Sequence, residues 1–282
     1  MILYFFLALI FWLISWYVNI KLSVYRESQL TKILAPVLFG VSVLLIWEAS
    51  IPSFNISPVI LPSPSSVFAR LISSIPTLWE DLVQTAIKGA LTGYLVGCSA
   101  AFFVALIVDR FKFLERGLLP ISNFMAALPI VGTAPILVTW FGFDWHSKAA
   151  VVTTMVFFPM LANTIQGLQM SDRIHKDLMQ TYNASGMQVL IKLRLSTAMP
   201  FIFNGLKICS TLALIGAIVA EFFGSPIKGM GFRISTEVGR FALDMVWAEI
   251  TMAAIVGSLF YGGIVVIEKV VTFWHPSQRG RA

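Results

Sequence analysis

Ionisable residues lie within or beside long apolar stretches of the sequence, among them Glu48, Lys207, Glu221 and Glu249. A charged group is costly in hydrocarbon, so such residues usually face a protein interior or an aqueous cavity, where they meet solutes or other polar groups. Glu221 follows the apolar run 215–220, close to the end of its stretch. It therefore has two interpretations, a polar role at a gate or path and a role at a helix terminus, and Lys207 and Glu249 could equally lie at an interface.

A second candidate feature is a backbone break within an apolar stretch. Pro129, Gly132 and Pro135 fall within seven residues, with Thr133 between them. Proline removes a backbone donor, and in lipid such a break persists only where neighbouring helices or a water-filled cavity satisfy the freed groups. The pattern predicts either a path lined by Pro129, Thr133 and Pro135 together with Glu221, or a simple kink.

Enzyme motifs are absent from the sequence. It contains no Gly-x-x-x-x-Gly-Lys-Ser/Thr phosphate loop and no Gly-x-Ser-x-Gly nucleophile elbow. Its three histidines, His146, His175 and His275, are dispersed without metal-ligand spacing, and Cys98 and Cys209 are too few for a disulfide framework. We therefore predict no catalytic residue, no metal site and no cofactor.

The composition explains why these polar residues stand out. Of 282 residues, 57% are hydrophobic and only 12% are charged, against about 25% charged in soluble proteins. So few charges cannot cover the surface of a soluble enzyme, and the mean hydropathy of +0.84 also excludes a disordered chain or a secreted disulfide scaffold. Lipid must be the main solvent. The net charge of +6 contains no dense basic run, so we expect no nucleic-acid partner.

Apolar stretches of the length that crosses a bilayer, about 20 residues, occur seven times. This predicts an all-α, polytopic helical membrane protein. The first stretch lacks the basic start and cleavage site of a signal peptide, so we interpret it as a retained helix. The predicted spans are Ile2–Ile20, Ile33–Ile51, Leu82–Val108, Leu118–Phe143, Ala149–Leu168, Phe201–Phe223 and Val246–Ile267.

The basic residues predict the orientation of these spans. Thirteen of the 20 Lys and Arg residues lie in four connecting or terminal segments, and these alternate with three segments that hold five. Segments rich in Lys and Arg face the cytoplasm. The N-terminus is therefore expected outside and the C-terminus in the cytoplasm. The inner connection 169–199 is then the only sizeable cytoplasmic feature, and a cytoplasmic partner would dock there.

Small residues mark one face of the third span. Gly89, Gly93 and Gly97 recur every four residues and are followed by Ala101. Small residues at this spacing let helix backbones approach closely. We predict that this face packs against another helix.

Short motifs, specific through their order and spacing, carry a family resemblance from about Ile33 to Trp274. The chain resembles the permease subunits of type I ATP-binding-cassette importers, in the nitrate, sulfonate, taurine and thiamine-precursor branch of the binding-protein-dependent permeases. The motifs are Leu61-Pro62-Ser63-Pro64, Pro129, Ala134-Pro135, Trp140-Phe141-Gly142, Phe158-Pro159, Asn163-Thr164, Gly167-Leu168, Gly205-Leu206-Lys207 and Ala220-Glu221.

The cytoplasmic signature of that family, Glu-Ala-Ala followed by Gly and later Leu-Pro, is degenerate here. Asn183 occupies the glycine position, which is chemically sensible because Asn tolerates a left-handed backbone. Ser196 replaces the first proline. The resemblance implies that this loop docks into a groove of a cytoplasmic ATPase through Asp177, Leu178, Met179, Asn183, Ala184, Ser185, Leu195 and Pro200.

The same resemblance implies a pore-forming subunit of a bacterial inner-membrane importer that binds no nucleotide itself. Its partners would be ATPase subunits, an extracytoplasmic solute-binding protein, a second permease copy and the lipid bilayer. The cargo would be a sulfonate such as taurine, nitrate, or a small molecule like a thiamine precursor. The expected organisation is an additional helix and linker (1–32), a permease domain (33–274) and a cytoplasmic tail (275–282). A secondary transporter or channel without an ATPase, and a membrane scaffold, are the alternatives.

Overall fold

The computed structural model describes residues 2–24, 29–126, 128–225 and 227–274, and the regular structure of these ranges is entirely helical. Two π-helical segments, Val83–Leu91 and Leu190–Arg194, lead into α5 and α11. The tail 275–282 lies outside the described residues. The α-helices are α1 (Ile2–Val24), α2 (Gln29–Ser53), α3 (Pro64–Ser73), α4 (Ile75–Leu82), α5 (Thr92–Arg110), α6 (Lys112–Ala126), α7 (Ile130–Phe141), α8 (Trp145–Gln169), α9 (Arg173–Thr181), α10 (Gly186–Val189), α11 (Leu195–Phe222), α12 (Met230–Gly239) and α13 (Leu243–Val271).

Six helical segments of the described chain are long and apolar enough to cross a membrane, and they correspond to six of the seven predicted spans. The remaining prediction, Leu118–Phe143, is divided between α6 and α7. Pro129 directly precedes α7, whose 12 residues rise about 18 Å, less than the roughly 30 Å of a hydrocarbon core. The all-α, polytopic class is confirmed, with the fourth segment built from two shorter helices. The six segments are Tyr4–Lys21, Ile33–Ser53, Ile75–Arg110, Trp145–Gln169, Gly186–Phe222 and Leu243–Val271.

The chain divides into two compact units, of which the first comprises Met1–Leu78 and Ile234–Thr251. Within it, α1 packs along α2. The hydroxyl oxygens of Ser15 and Ser42 lie 3.1 Å apart in the interface, and both residues are buried. Polar contacts between helices are favoured in lipid because their groups have no water to bind instead. This pair therefore fixes the register of the two helices.

In the first unit, the segment Leu61-Pro62-Ser63-Pro64 leads into α3. Ser63 caps the helix by accepting a hydrogen bond from the Ser66 amide at 3.2 Å, and Pro64 occupies the first turn, where no backbone donor is needed. Glu48 of α2 accepts from the Ser65 amide at 2.9 Å and from the Ser65 hydroxyl at 2.7 Å. Glu48, one of the ionisable residues singled out from the sequence, thus holds the start of a helix.

The second unit comprises Trp79–Arg233 and Met252–Ala282, and its core is the packing of α5, α8 and α11. The glycine face of the third span lies against α8. A Cβ atom added at Gly93 would lie 2.6 Å from the Ala149 carbonyl oxygen and 2.6 Å from the Val152 Cβ. A Cβ at Gly89 would lie 3.2 Å from that of Lys148. The two backbones approach so closely that a side chain at Gly93 has no space.

Candidate functional site

Most candidates of the predicted ATPase-docking loop lie on α9, on α10 or in the turn between them. Asp172 caps α9 by accepting from the Ile174 amide at 3.2 Å. Ser185 caps α10, and its own amide donates to the Gln188 side chain at 2.8 Å, which completes a capping box. Both helices thus begin at a side-chain cap made by neighbouring residues. We call residues 173–189 the α9–α10 segment.

Asn183 makes the turn between these helices. Its φ is +52°, in the left-handed region. The Asn183 amide donates to the Gln180 carbonyl at 2.8 Å, and the Ala184 amide donates to the Met179 carbonyl at 3.0 Å. These two bonds are the Schellman pattern, in which glycine or asparagine ends a helix. The pattern gives a physical reason for Asn at the family's glycine position.

We expect Asn183→Gly to preserve this turn and Asn183→Val to loosen it. A β-branched residue is strained in the left-handed region, at a cost of about 1–2 kcal/mol, whereas glycine is not. Hydrogen exchange of the Asn183 and Ala184 amides measures the effect and should be several-fold faster in the valine variant. Gln180→Val, placed in α9 itself, is the control and should leave both amides protected; equal exchange in Asn183→Val and wild type would contradict this account.

An exposed apolar stripe runs along α9 and its end. Ile174, Leu178 and Tyr182, spaced by four residues, are 72%, 52% and 77% exposed. We call these three residues the α9 stripe. Asp177 is exposed beside it, while Met179 and Ala184 are half-buried. Residues four apart share one helix face, so the stripe is a continuous apolar surface with no covering element within the described chain. Such a surface is typical of a protein interface.

The remaining loop candidates lie where the chain re-enters the core. Leu195 begins α11 and Pro200 lies inside its first turns, and both are half-buried. They extend from the second π-helical segment, Leu190–Arg194. The structure therefore places these two residues on the connection between the α9–α10 segment and the membrane core, not on the exposed surface.

Glu221 belongs to a buried polar cluster at the other end of α11. It is 2% exposed and accepts hydrogen bonds from the Thr85 hydroxyl at 2.8 and 2.9 Å and from the Gly231 amide at 2.8 Å. The Met230 amide donates to Thr85 at 2.8 Å, and the Gly229 amide donates to Asp81 at 2.6 Å. Three side chains thus hold three consecutive amides at the start of α12, and we call this the α12 cap cluster.

Two cations complete the surroundings of the α12 cap cluster. Arg233 donates from Nε to Asp81 at 2.8 Å, and that carboxylate is fully buried. Lys148, 1% exposed, donates to the Phe143 carbonyl at 2.6 Å, to the Ser147 hydroxyl at 3.3 Å and to the Gly224 carbonyl. All three donors of its ammonium group are used. Gly224 and Gly229 are therefore held to the core by side chains from several helices.

The proposed path residues on the broken span lie together on α7. Pro129 is exposed and precedes the helix, and Thr133 donates to the Ile130 carbonyl at 3.3 Å. Pro135 is half-buried within α7. Glu221 makes its hydrogen bonds with Thr85 and Gly231, while the neighbouring Ala220 shares a buried apolar cluster with Ala134 of α7.

Sequence reasoning missed the partners of the buried charges. Lys207 donates to Glu268 of α13 at 2.8 Å, and the side chains are 19% and 11% exposed. Asp81 and Lys148 were not singled out as buried groups. The available signal was their position at the edge of an apolar run, but the pairing depends on residues far apart in the chain. No group of three His, Cys, Asp or Glu in the described ranges is placed to hold a metal.

Known proteins are similar in sequence over most of the chain. A family model for the inner-membrane component of binding-protein-dependent transport systems matches residues 93–273. The formylaminopyrimidine transport permease protein of Halalkalibacterium halodurans is 30% identical over 249 residues, covering 87% of this chain and 97% of the relative. The riboflavin transport system permease protein of Chloroflexus aurantiacus is 26% identical (83% and 87%), and the taurine transport system permease protein of Escherichia coli is 27% identical (82% and 86%).

The family match covers the helices that carry the α9 stripe and the broken span, and it includes Glu221 and Gly231 of the α12 cap cluster. Both the family match and the relatives describe transport proteins rather than enzymes. The resemblance drawn from the motifs is therefore confirmed. The chain belongs to the family of inner-membrane components of binding-protein-dependent transport systems, as a multi-pass permease subunit of an ATP-binding-cassette transporter.

Proposed function

We propose that this permease receives the energy of ATP through the α9–α10 segment, which docks on a cytoplasmic ATPase subunit. The observation that carries this proposal is the α9 stripe, three large apolar side chains that are more than half exposed on a segment with a defined fold. The chain itself has no phosphate-binding loop. An ATPase subunit must therefore supply the energy from outside.

The distribution of charge supports a cytoplasmic position for this segment. Arg173, Lys176, Lys192 and Arg194 lie in or beside it, and it is the richest of the four basic segments. Short connections rich in Lys and Arg remain on the cytoplasmic side. The N-terminus is then outside, the C-terminus inside, and the α12 cap cluster lies toward the outer face.

Coupling requires that the docked segment make different contacts in two states of the transporter. ATP biases the equilibrium between inward-open and outward-open forms only by the difference in those contact energies. In the degenerate signature, Leu178 and Met179 stand where relatives carry small alanines, so the receiving groove must be wider or more apolar. The exposed Leu178 fits this requirement.

The translocation path is proposed to run along α7 in a symmetric pair of permease copies. The break before Ile130 leaves backbone groups that in lipid require a partner helix or water. Pro129, Thr133 and Pro135 line this path, and Glu221 serves its outer end by holding the loop that leads to α12. An extracytoplasmic binding protein would deliver the solute there. The relatives are named for formylaminopyrimidine, riboflavin and taurine, and we propose a small polar solute of this range as the cargo.

Charging the α9 stripe tests the docking surface. We expect the double variant Leu178→Asp, Tyr182→Asp to lose co-purification with the co-expressed ATPase and to lose ATP-driven uptake at least tenfold, because carboxylates cannot enter an apolar groove without desolvation. Co-purification and uptake into proteoliposomes with the binding protein are measured together. Membrane insertion should be unchanged, since the stripe makes no core contact.

Gln180→Asp is the control, since it places a single carboxylate on α9 away from the stripe, and it should behave as wild type; Leu178→Asp alone is the variant of equal charge. A stripe variant that still binds the ATPase would contradict the docking assignment. Uptake driven by a proton or sodium gradient in vesicles of the lone chain would favour the secondary transporter instead.

A further inference from the structure

Three helices of the second unit are joined by the side chain of Arg194, the last residue of the second π-helical segment. Its Nη1 donates to Asp109 Oδ2 at 2.6 Å, and its Nη2 donates to Asp109 Oδ1 at 2.5 Å. Nε and Nη2 also donate to the Leu168 carbonyl oxygen at 3.3 and 3.1 Å. One guanidinium thus connects the start of α11 to the last turns of α5 and α8.

Only arginine can make all the hydrogen bonds of this junction. Arg194 uses four of its five N–H donors, two of them in the bidentate geometry that a lysine cannot reproduce. The Asp109 side chain is 8% exposed and that of Arg194 is 22% exposed, so the pair is largely shielded from solvent. Asp109 also lies in the last turn of α5, where the helix dipole disfavours an anion and makes the neighbouring cation necessary.

The position of the junction in the chain is as informative as its geometry. Leu168 lies where the chain leaves α8 for the α9–α10 segment, and Arg194 lies where the chain returns, 26 residues later. The carbonyl of Leu168 is among the last four of α8, which lack a partner within the helix. The guanidinium therefore joins the chain on both sides of the α9–α10 segment through the Leu168 carbonyl, and it links them to α5 through Asp109.

The Arg194 junction connects a displacement of the α9–α10 segment to the helices of the core. The return path is a π-helical segment, whose hydrogen bonding is less regular than that of an α-helix. Without the junction, motion of α9 would be taken up by bending of Leu190–Arg194. With the junction, the end of the segment is also tied to α5 and α8 by four hydrogen bonds.

We propose that Arg194, held by Asp109 and the Leu168 carbonyl, is a positioning residue that transmits displacement of the α9–α10 segment to α5 and α8. This inference rests on the proposed coupling to an ATPase and extends it to the element that carries the force. A coupling route requires a physical element whose arrangement both sites bias, and the junction is such an element.

The test compares Arg194→Ala, Arg194→Lys and Asp109→Asn with wild type in the complete complex of permease, ATPase and binding protein. Co-purification with the ATPase should be retained, because the α9 stripe is untouched. ATP hydrolysis should continue while uptake falls at least tenfold, so the number of ATP molecules consumed per solute rises. Lys192→Ala, an exposed basic residue in the same π-helical segment, is the control and should keep the wild-type ratio.

A second measurement does not depend on the ATPase. Nitroxide labels at Gln180→Cys on α9 and Phe103→Cys on α5, both exposed positions, report the distance between the two helices. Arg194→Ala should broaden the distance distribution, and the charge exchange Arg194→Asp with Asp109→Arg should narrow it again. Unchanged distances in Arg194→Ala, or a wild-type ratio of hydrolysis to uptake, would overturn the proposal. Absence of ATP-driven uptake in the wild-type complex would overturn the proposed function itself.

Discussion

Alanine at Gly93 will destabilise the protein, whereas alanine at Gly40 will not. The new Cβ at Gly93 would lie 2.6 Å from both the Ala149 carbonyl oxygen and the Val152 Cβ, so α5 and α8 must separate. Overpacking of this kind costs about 1–3 kcal/mol and here exceeds the gain of about 1 kcal/mol in helix propensity. We expect the free energy of unfolding to fall by about 2 kcal/mol.

Adding Gly97→Ala should lower the free energy of unfolding further, by a similar amount. Gly97 faces the next turn of α8, where a Cβ would lie 2.9 Å from the Thr153 carbonyl oxygen. The measurement is the free energy of unfolding of the detergent-solubilised protein, obtained by reversible titration with SDS. At Gly40 of α2 no heavy atom lies within 4 Å of the added Cβ, so Gly40→Ala should be neutral or stabilising by up to about 1 kcal/mol. Equal stability changes at Gly93 and Gly40 would refute the close-packing interpretation.

Removing the Glu221 carboxylate has the second large expected effect. Glu221→Ala leaves the Thr85 hydroxyl and the Gly231 amide without an acceptor in a site where Thr85 is fully buried. Each buried polar group left unsatisfied costs about 1–3 kcal/mol, so we expect a loss of about 3 kcal/mol in the free energy of unfolding. The start of α12 should detach, and limited proteolysis should cut between 223 and 229 faster than in wild type.

Glu80→Ala is the matched control for Glu221→Ala. Glu80 pairs with Lys228 at 2.5 Å, but both side chains are more than half exposed. Surface pairs contribute about 0–1 kcal/mol, so this variant should keep its stability and its protease resistance. If Glu221→Ala remained as stable as Glu80→Ala yet lost transport, Glu221 would act on the solute path and not as an anchor.

The sequence could predict the features that depend on local chemistry. The spans follow from runs of apolar residues, and asparagine at the glycine position follows from the left-handed φ that the turn at Asn183 requires. The broken span was also visible as Pro129 and Pro135, although hydropathy alone merged α6 and α7 into one stretch. Each of these signals lies within a few neighbouring residues.

The partners of the polar residues could not be predicted in this way. Glu221 binds Thr85, 136 positions away, and Lys207 binds Glu268, 61 positions away. A single sequence has no periodicity that relates such positions, because their contact depends on how whole helices pack. For that reason the sequence leaves two interpretations of Glu221 open, and it shows Arg194 only as one of several basic residues in a segment predicted to face the cytoplasm.

The α12 cap cluster has a consequence for the binding of free anions at the start of α12. The first amides of a helix are a common docking point for phosphate, sulfonate or carboxylate groups. Here Asp81 and Glu221 already occupy the Gly229 and Gly231 amides. A tethered carboxylate competes at a high effective concentration, which a dilute free anion cannot match. A free anion near the start of α12 therefore finds the Gly229 and Gly231 amides already occupied, and it is not trapped there.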